Sequence, residues 1–136
     1  MIYLADENFQ RLAVGLLEAF DTQNEIRPLT DLFGRGTKDV QWLRAAGRMD
    51  PKPVILGGDG QILRNRVERA ALREADLTYV HLAPGWMHLK WPDFAWKIVK
   101  AWPAIVDSTQ RVARPTVFEV KVGNLKVTLV SQTFQL

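Results

Sequence analysis

Three aspartates stand where strand-forming or helix-forming segments end or begin. Asp6 follows the apolar run Ile2-Tyr3-Leu4-Ala5, Asp59 follows Val54-Ile55-Leu56 across two glycines, and Asp39 lies two residues after Thr37 at the head of a helical pattern. If the two apolar runs are parallel strands, both carboxylates emerge at the same sheet edge, where open α/β sheets bind their ligands. Asp39, in a first helical turn, can point toward that edge as well. Converging carboxylates without a cysteine or a histidine cluster suit a hard, oxygen-seeking cation such as Mg²⁺ or Mn²⁺. Such an ion would activate a water and neutralise the charge developing on a phosphodiester. Each acid also has a plainer role available: Asp6 can cap the next helix, Asp39 can answer a helix macrodipole, and Asp59-Gly60 can be a turn.

Basic residues crowd the same segments. Arg64, Arg66, Arg69 and Arg73 follow Asp59, and Arg35 and Lys38 flank Asp39. An acidic centre rimmed by guanidinium groups is what cutting a polyanion requires, because the rim holds phosphates while the metal works at one of them. The alternative is a solvated helix face on which Glu68 and Glu74 pair with the arginines. Gly34-x-Gly36 lacks the preceding strand and third glycine of a dinucleotide fingerprint. His81 and His88 are not at metal-ligand spacing to each other. Trp86, Trp91, Trp96 and Trp102 could stack on bases, although packing is the commoner use of such residues.

Elements that would position these groups can be read from hydrophobic periodicity. Ile2–Ala5 reads as a strand, and Phe9, Leu12, Ala13, Leu16, Leu17 and Phe20 form the inward stripe of a following helix. Residues 25–29 read as an edge strand, because Pro28 cannot donate to a ladder. A glycine-bearing loop over 31–37 leads to a helix capped by Thr37 and buried through Val40, Leu43 and Ala45 or Ala46. The apolar run at 54–56 reads as a strand covered on both faces. A helix is expected from Ile62 to Ala75, with Leu63, Val67, Ala70 and Ala71 inward, and a strand over 77–82. Pro92 opens another helix, which Pro103 kinks or ends. Residues 116–122 and 125–130 alternate as a hairpin joined by Gly123-Asn124, an appendage to the α/β body. Strands alternating with helices predict an α/β layer fold with a mostly parallel sheet.

At 136 residues the chain has the size of one domain. Hydrophobic residues at 47% and charged residues at 24% exclude a disordered or fibrous chain, and the absence of cysteine excludes disulfides, thiolate nucleophiles and Cys-ligated metal centres. The first residues meet acid too early for a signal peptide, and no apolar run is long enough to span a membrane. A cytoplasmic protein is expected. The formal net charge of +3 is a mild lean toward anionic partners.

The residues Leu4-Ala5-Asp6-Glu7-Asn8-Phe9, then residues 31–39 ending in Asp39, then Gly58-Asp59-Gly60-Gln61-Ile62 with Arg64-Asn65 and residues 68–72, resemble a PIN-like domain. More narrowly they resemble the small VapC-type toxin branch, over roughly residues 2–102. The resemblance implies a three-layer α/β/α nuclease that cuts RNA with Mg²⁺ or Mn²⁺, commonly the toxin of a type II toxin–antitoxin pair. By position it implies that Asp6, Asp39 and Asp59 are the catalytic, metal-holding acids, with Asn8 and Arg64 beside the metal or scissile phosphate. Arg35, Arg66 and Arg69 would complete the RNA-binding rim. Implied partners are an RNA substrate and a cognate antitoxin, while a homodimer stays open, with Trp86–Trp102 as core, dimer interface or antitoxin groove. Gly57 and Gln61 depart from the family pattern around the third acid and leave a fourth carboxylate to be supplied by Glu7, Asp31 or Glu68. These departures favour a second reading, a catalytically impaired PIN-like module that binds RNA or a protein partner.

Overall fold

Short apolar runs become the strands, and the amphipathic segments between them become the covering helices. The computed structural model describes residues 1–136. Its elements are β1 (Ile2–Ala5), α1 (Arg11–Phe20), β2 (Glu25–Pro28), α2 (Leu29–Phe33), α3 (Asp39–Gly47) and β3 (Val54–Gly57). They continue with α4 (Gln61–Arg64), α5 (Arg66–Ala75), β4 (Tyr79–Leu82), α6 (Trp91–Arg111), β5 (Thr116–Val120) and β6 (Val127–Gln132). One six-stranded sheet is ordered β2-β1-β3-β4-β5-β6. Every pairing from β2 through β5 is parallel, and only β6 runs antiparallel. This is the three-layer α/β/α arrangement with a mostly parallel sheet. Pro28 ends the edge strand β2, where its missing N–H costs no ladder bond.

Alternation along the strands divides the core between the two faces. Tyr3, Ala5, Leu56, Val80 and Leu82 pack under α1 and α6, whereas Leu4, Ile55, Tyr79 and Val117 pack under α3 and α5. The central strands β3 and β4 are buried along their whole length, so β3 reads as an unbroken apolar run and β4 is interrupted only by His81.

Several expectations are corrected. The residues 116–132 are not an appendage: α6 is the crossover that returns the chain to β5, which pairs parallel to β4, and β6 closes that edge. Pro103 does not end α6, which runs on to Arg111. The turn after β5 is longer than two residues and reverses at Leu125, whose φ is +57°. Of the stripe assigned to α1, only Phe9, Ala13 and Leu17 are buried, joined by Val14, while Leu12, Leu16 and Phe20 are exposed. The buried side of α1 is the narrow one wedged between the sheet and α6, and residues 12, 16 and 20 form the neighbouring i, i+4 row. Residues 62–75 are two helices, because Asn65 leaves the helical conformation and caps α5. Val67 consequently turns outward, and Ala71, Leu72 and Ala75 make the contact with the core. Thr37 does not cap α3; its hydroxyl bonds back to the carbonyl of Phe33, and a short helix α2 replaces part of the expected loop. Val40 is only half-buried, and Trp42 takes its place in the inner face of α3.

Candidate active site

From β1 the chain turns outward to β2, then crosses back to lay β3, β4 and β5 on the other side. The loops after β1 and β3 therefore diverge, and a crevice opens between them at the carboxyl ends of the strands. Asp6 leads one loop and Asp59 the other, with Ala5 and Leu56 paired in register just below. Asp39 enters from the start of α3. Together the three aspartates line a cavity of ≈ 180 Å³ with Asn8 and Trp42.

One oxygen of each aspartate is held by a neighbouring N–H. Oδ1 of Asp6 accepts from the Asn8 amide at 3.0 Å, Oδ1 of Asp59 from the Gln61 amide at 2.8 Å, and Oδ1 of Asp39 from the Trp42 indole at 2.9 Å. These bonds fix the carboxylate planes. The local turn roles and the shared cavity are thus compatible, although neither Asp6 nor Asp59 caps a helix, the capping positions being Gln10 and Gly60.

The other oxygen of Asp6, Oδ2, is buried and has no hydrogen-bond partner. An isolated buried carboxylate is costly, and burial pushes the Asp6 carboxyl up to about 7, with repulsion from Asp59 adding to it and the Asn8 amide opposing. A fourth acid behaves similarly. Glu68, in the first turn of α5, has one carboxylate oxygen shut off from water and unpartnered. Its carboxyl is also raised to about 7, by desolvation, by a hydrogen bond and charge from Asp39, and by the charge of Asp59. Asn65 determines where Glu68 points. The Asn65 side chain accepts from the amides of Val67 and Glu68 at 3.0 and 3.1 Å, and the Asn65 amide is already bonded to the Gln61 carbonyl. Glu68 therefore has no capping bond to return, and it faces Asp39 instead.

The other named residues are distributed unevenly. Asn8 and Arg35 line an adjoining cleft of ≈ 390 Å³ that also reaches Asp6, a volume suited to a nucleotide-sized ligand. The Arg64 guanidinium lies against Gly60, beside the Asp59 loop. Arg66 lines a separate groove between α3 and α5, Arg69 bonds the Leu63 carbonyl at 3.4 Å, and Arg73 bonds the C-terminal Leu136 carbonyl at 2.9 Å. Glu7 lines the cavity of the three aspartates, is exposed there and accepts from the Gly36 amide at 3.5 Å, whereas Asp31 pairs with Arg11 on the surface. Trp86 and Trp102 are core, each with its indole N–H bonded, whereas Trp91 and Trp96 are exposed on α6.

Beneath the acids lies Tyr79, which by its place in a strand pattern is an ordinary core residue. It is fully buried, and its hydroxyl donates to the Asp59 carbonyl at 3.1 Å. Gly57 is required here because a methyl in its place would run into that hydroxyl and stand 2.6 Å from Oδ2 of Asp6. His81 stacks on Tyr79 and faces Glu119 at 3.8 Å; its imidazole is lowered, chiefly by burial.

The family model described as a PIN-like domain matches residues 1–84. The chain belongs to the PIN-like domain family. No curated protein and no solved structure matches it. The matched span holds Asp6, Asp39, Asp59, Glu68 and Tyr79, and stops short of α6, β5 and β6. A nuclease-type function and a general dependence on divalent metal belong to PIN-like domains as a family.

The acidic site of this PIN-like domain fits such a cation in a particular way. No three acidic or histidine side chains are close enough to enclose an ion directly. Magnesium rarely needs such a cage, because it dehydrates reluctantly and is commonly held through one or two carboxylates and several waters. Unpartnered oxygens on Asp6 and Glu68, each carboxyl raised by burial and by the charge of Asp59, are oxygen donors with uncompensated negative charge. No helix is long and apolar enough to cross a membrane.

Proposed function

We propose that this PIN-like domain is a metal-dependent endoribonuclease in which Asp6, Asp39, Asp59 and Glu68 hold Mg²⁺ or Mn²⁺ at the mouth of the β1–β3 crevice. The observation that carries the reading is the unpartnered, buried Oδ2 of Asp6, opposed by Asp59 across the crevice. A buried carboxylate oxygen left without a partner is destabilising unless a cation or a proton satisfies it. When bound, the cation supplies positive charge to a phosphodiester and acidifies an attacking water.

The chain's own residues do the rest. The amides of Asn8 and Gln61 and the Trp42 indole orient three carboxylates before any ligand arrives, which removes reorganisation from the reacting complex. Arg35 and Arg64 stand on either side of the crevice, where guanidinium forks can hold phosphate oxygens flanking the scissile one. Arg66 and Arg69 lie further out along α5 and would meet a longer strand of RNA. Glu68, whose carboxyl is raised to about 7 by burial and by Asp39, would be more readily ionised beside a cation.

The finer assignment we propose is the toxin of a type II toxin–antitoxin pair, acting on RNA in the cytoplasm. Its support is the Asp6-Glu7-Asn8 opening with Asp39 and Asp59 in order behind it. Induced expression should arrest growth, and Asp59→Asn should relieve the arrest; growth unaffected by the parent protein contradicts the toxin role. The nuclease reading is tested by incubating purified protein with single-stranded RNA in Mn²⁺ and in EDTA, with cleavage expected only in the first.

A second reading is favoured by one observation, that no three acids close directly on an ion. In that case the chain is a catalytically impaired PIN-like module that binds RNA or a protein partner. Mn²⁺ should then leave the melting temperature unchanged, whereas a competent site raises it by mass action.

A further inference from the structure

We propose that Tyr79 is the positioning residue of the acidic site, its hydroxyl acting as the fixed post against which the Asp6 and Asp59 loops are set. The inference rests on the nuclease reading for its activity readout but stands on contacts of its own. Tyr79 rises from β4 under the crevice, and its hydroxyl donates to the backbone carbonyl of Asp59 rather than to any carboxylate. That bond ties the loop after β3 to the neighbouring strand. On its other side the hydroxyl packs against Gly57, at the position where a side chain would also meet Oδ2 of Asp6. One oxygen atom thus limits how far the β3 end can approach Asp6 and how far the Asp59 loop can lift away.

The electrostatic surroundings agree with a post rather than a ligand. Burial, then Asp6, Asp59, Asp39 and Glu68 in that order, raise the Tyr79 phenol well above its ordinary range. Its ring is further immobilised by stacking on His81, with centroids 6.1 Å apart and planes at 18°.

Tyr79→Phe removes the post and keeps the ring. Loss of about an ångström of registry should lower kcat by about ten- to a hundredfold while leaving KM for RNA unchanged, since Arg35 and Arg64 are untouched. The Mn²⁺ concentration that half-stabilises the protein in thermal melts should rise by a similar factor, and the melting temperature in EDTA should change little. Gly57→Ala, which drives a methyl against the same hydroxyl and Asp6, should show the same losses in kcat and in the Mn²⁺ midpoint together with a lower melting temperature in EDTA. If Tyr79→Phe matches the parent in kcat and in the Mn²⁺ midpoint, the inference is wrong and the nuclease reading stands. A Tyr79→Phe protein that fails to fold, or loses activity only in proportion to its stability, likewise overturns it in favour of a purely structural tyrosine. Should the parent cut no RNA, the nuclease reading fails, while the Mn²⁺ midpoint still decides the role of Tyr79.

Discussion

The Glu68 carboxyl on α5 faces the Asp39 carboxyl on α3, and burial together with Asp39 makes Glu68 harder to ionise. Two like charges this close share a proton or a cation. Glu68→Gln keeps the size and the hydrogen bond but removes the charge. In EDTA at pH 8 it should therefore be at least as stable as the parent, whereas its stabilisation by Mn²⁺ and its cleavage of RNA should fall by about tenfold or more. Parental Mn²⁺ response in Glu68→Gln would exclude Glu68 from the site.

Asp6 gives the apo protein a pH dependence of unusual sign for an aspartate. In the folded chain the carboxyl keeps its proton up to about 7, against an ordinary value of 3.8. Below the ordinary value both folded and unfolded chains are protonated and the group contributes nothing. Between the two values the unfolded chain has released its proton and the folded chain has not. Stability then falls as pH rises, by up to about 1.4 kcal/mol per unit, and is lowest above 7. Metal-free melts should show this decline between pH 4.5 and 7.5, and Asp6→Asn should make it shallower, leaving the part due to Glu68, and raise the melting temperature at pH 8. A parent protein that becomes more stable over that range would contradict the buried, unpartnered Oδ2.

Asn65 links helix capping to the site. Asn65→Ala removes the two bonds to the Val67 and Glu68 amides and should cost about 1 kcal/mol of stability. Because Glu68 is the residue being capped, RNA cleavage should fall more than the stability loss accounts for. Asn65→Asp or Asn65→Ser, which restore an accepting oxygen, should recover most of it. Melting curves and initial rates on the same preparations measure both effects.

The α3–α5 contact that brings Asp39 to Glu68 depends on Gly47. A Cβ at this position would lie 2.9 Å from the Cβ of Ala75 and 3.0 Å from its backbone. Gly47→Ala should destabilise by roughly 1–3 kcal/mol through overpacking, since backbone cannot yield as a side chain can. A chemical denaturation midpoint equal to the parent's would mean that the two helices have slack.

The alternation of strands and helices was legible because β1, β3 and β4 are short apolar runs bounded by Gly, Pro or acid, and a parallel sheet followed from their order. What escaped was decided by tertiary contacts. Leu12, Leu16 and Phe20 fit a helical stripe as well as Ala13 and Leu17 do, and only the placement of α6 chooses between the rows. The break at Asn65 was written in the sequence as Asn-x-x-Glu, a helix start that the surrounding apolar spacing obscured. In the candidate site, Asp6, Asp39 and Asp59 could be singled out because they stand at element ends, while the fourth acid was open among Glu7, Asp31 and Glu68. Tyr79 could not be found at all. Its ring is an ordinary core residue by pattern, and its hydroxyl matters only because β4 lies beside β3 and Gly57 leaves it room.

The most direct test of the central claim is the rate of single-stranded RNA cleavage by the purified protein in Mn²⁺, compared with Asp59→Asn and with an EDTA-treated sample. The nuclease account predicts that the parent cleaves, that EDTA abolishes cleavage and that readded Mn²⁺ restores it. It further predicts that Asp59→Asn loses about a hundredfold or more in rate with its melting curve intact. Cleavage that persists in EDTA, or an Asp59→Asn protein that cuts as fast as the parent, would contradict it.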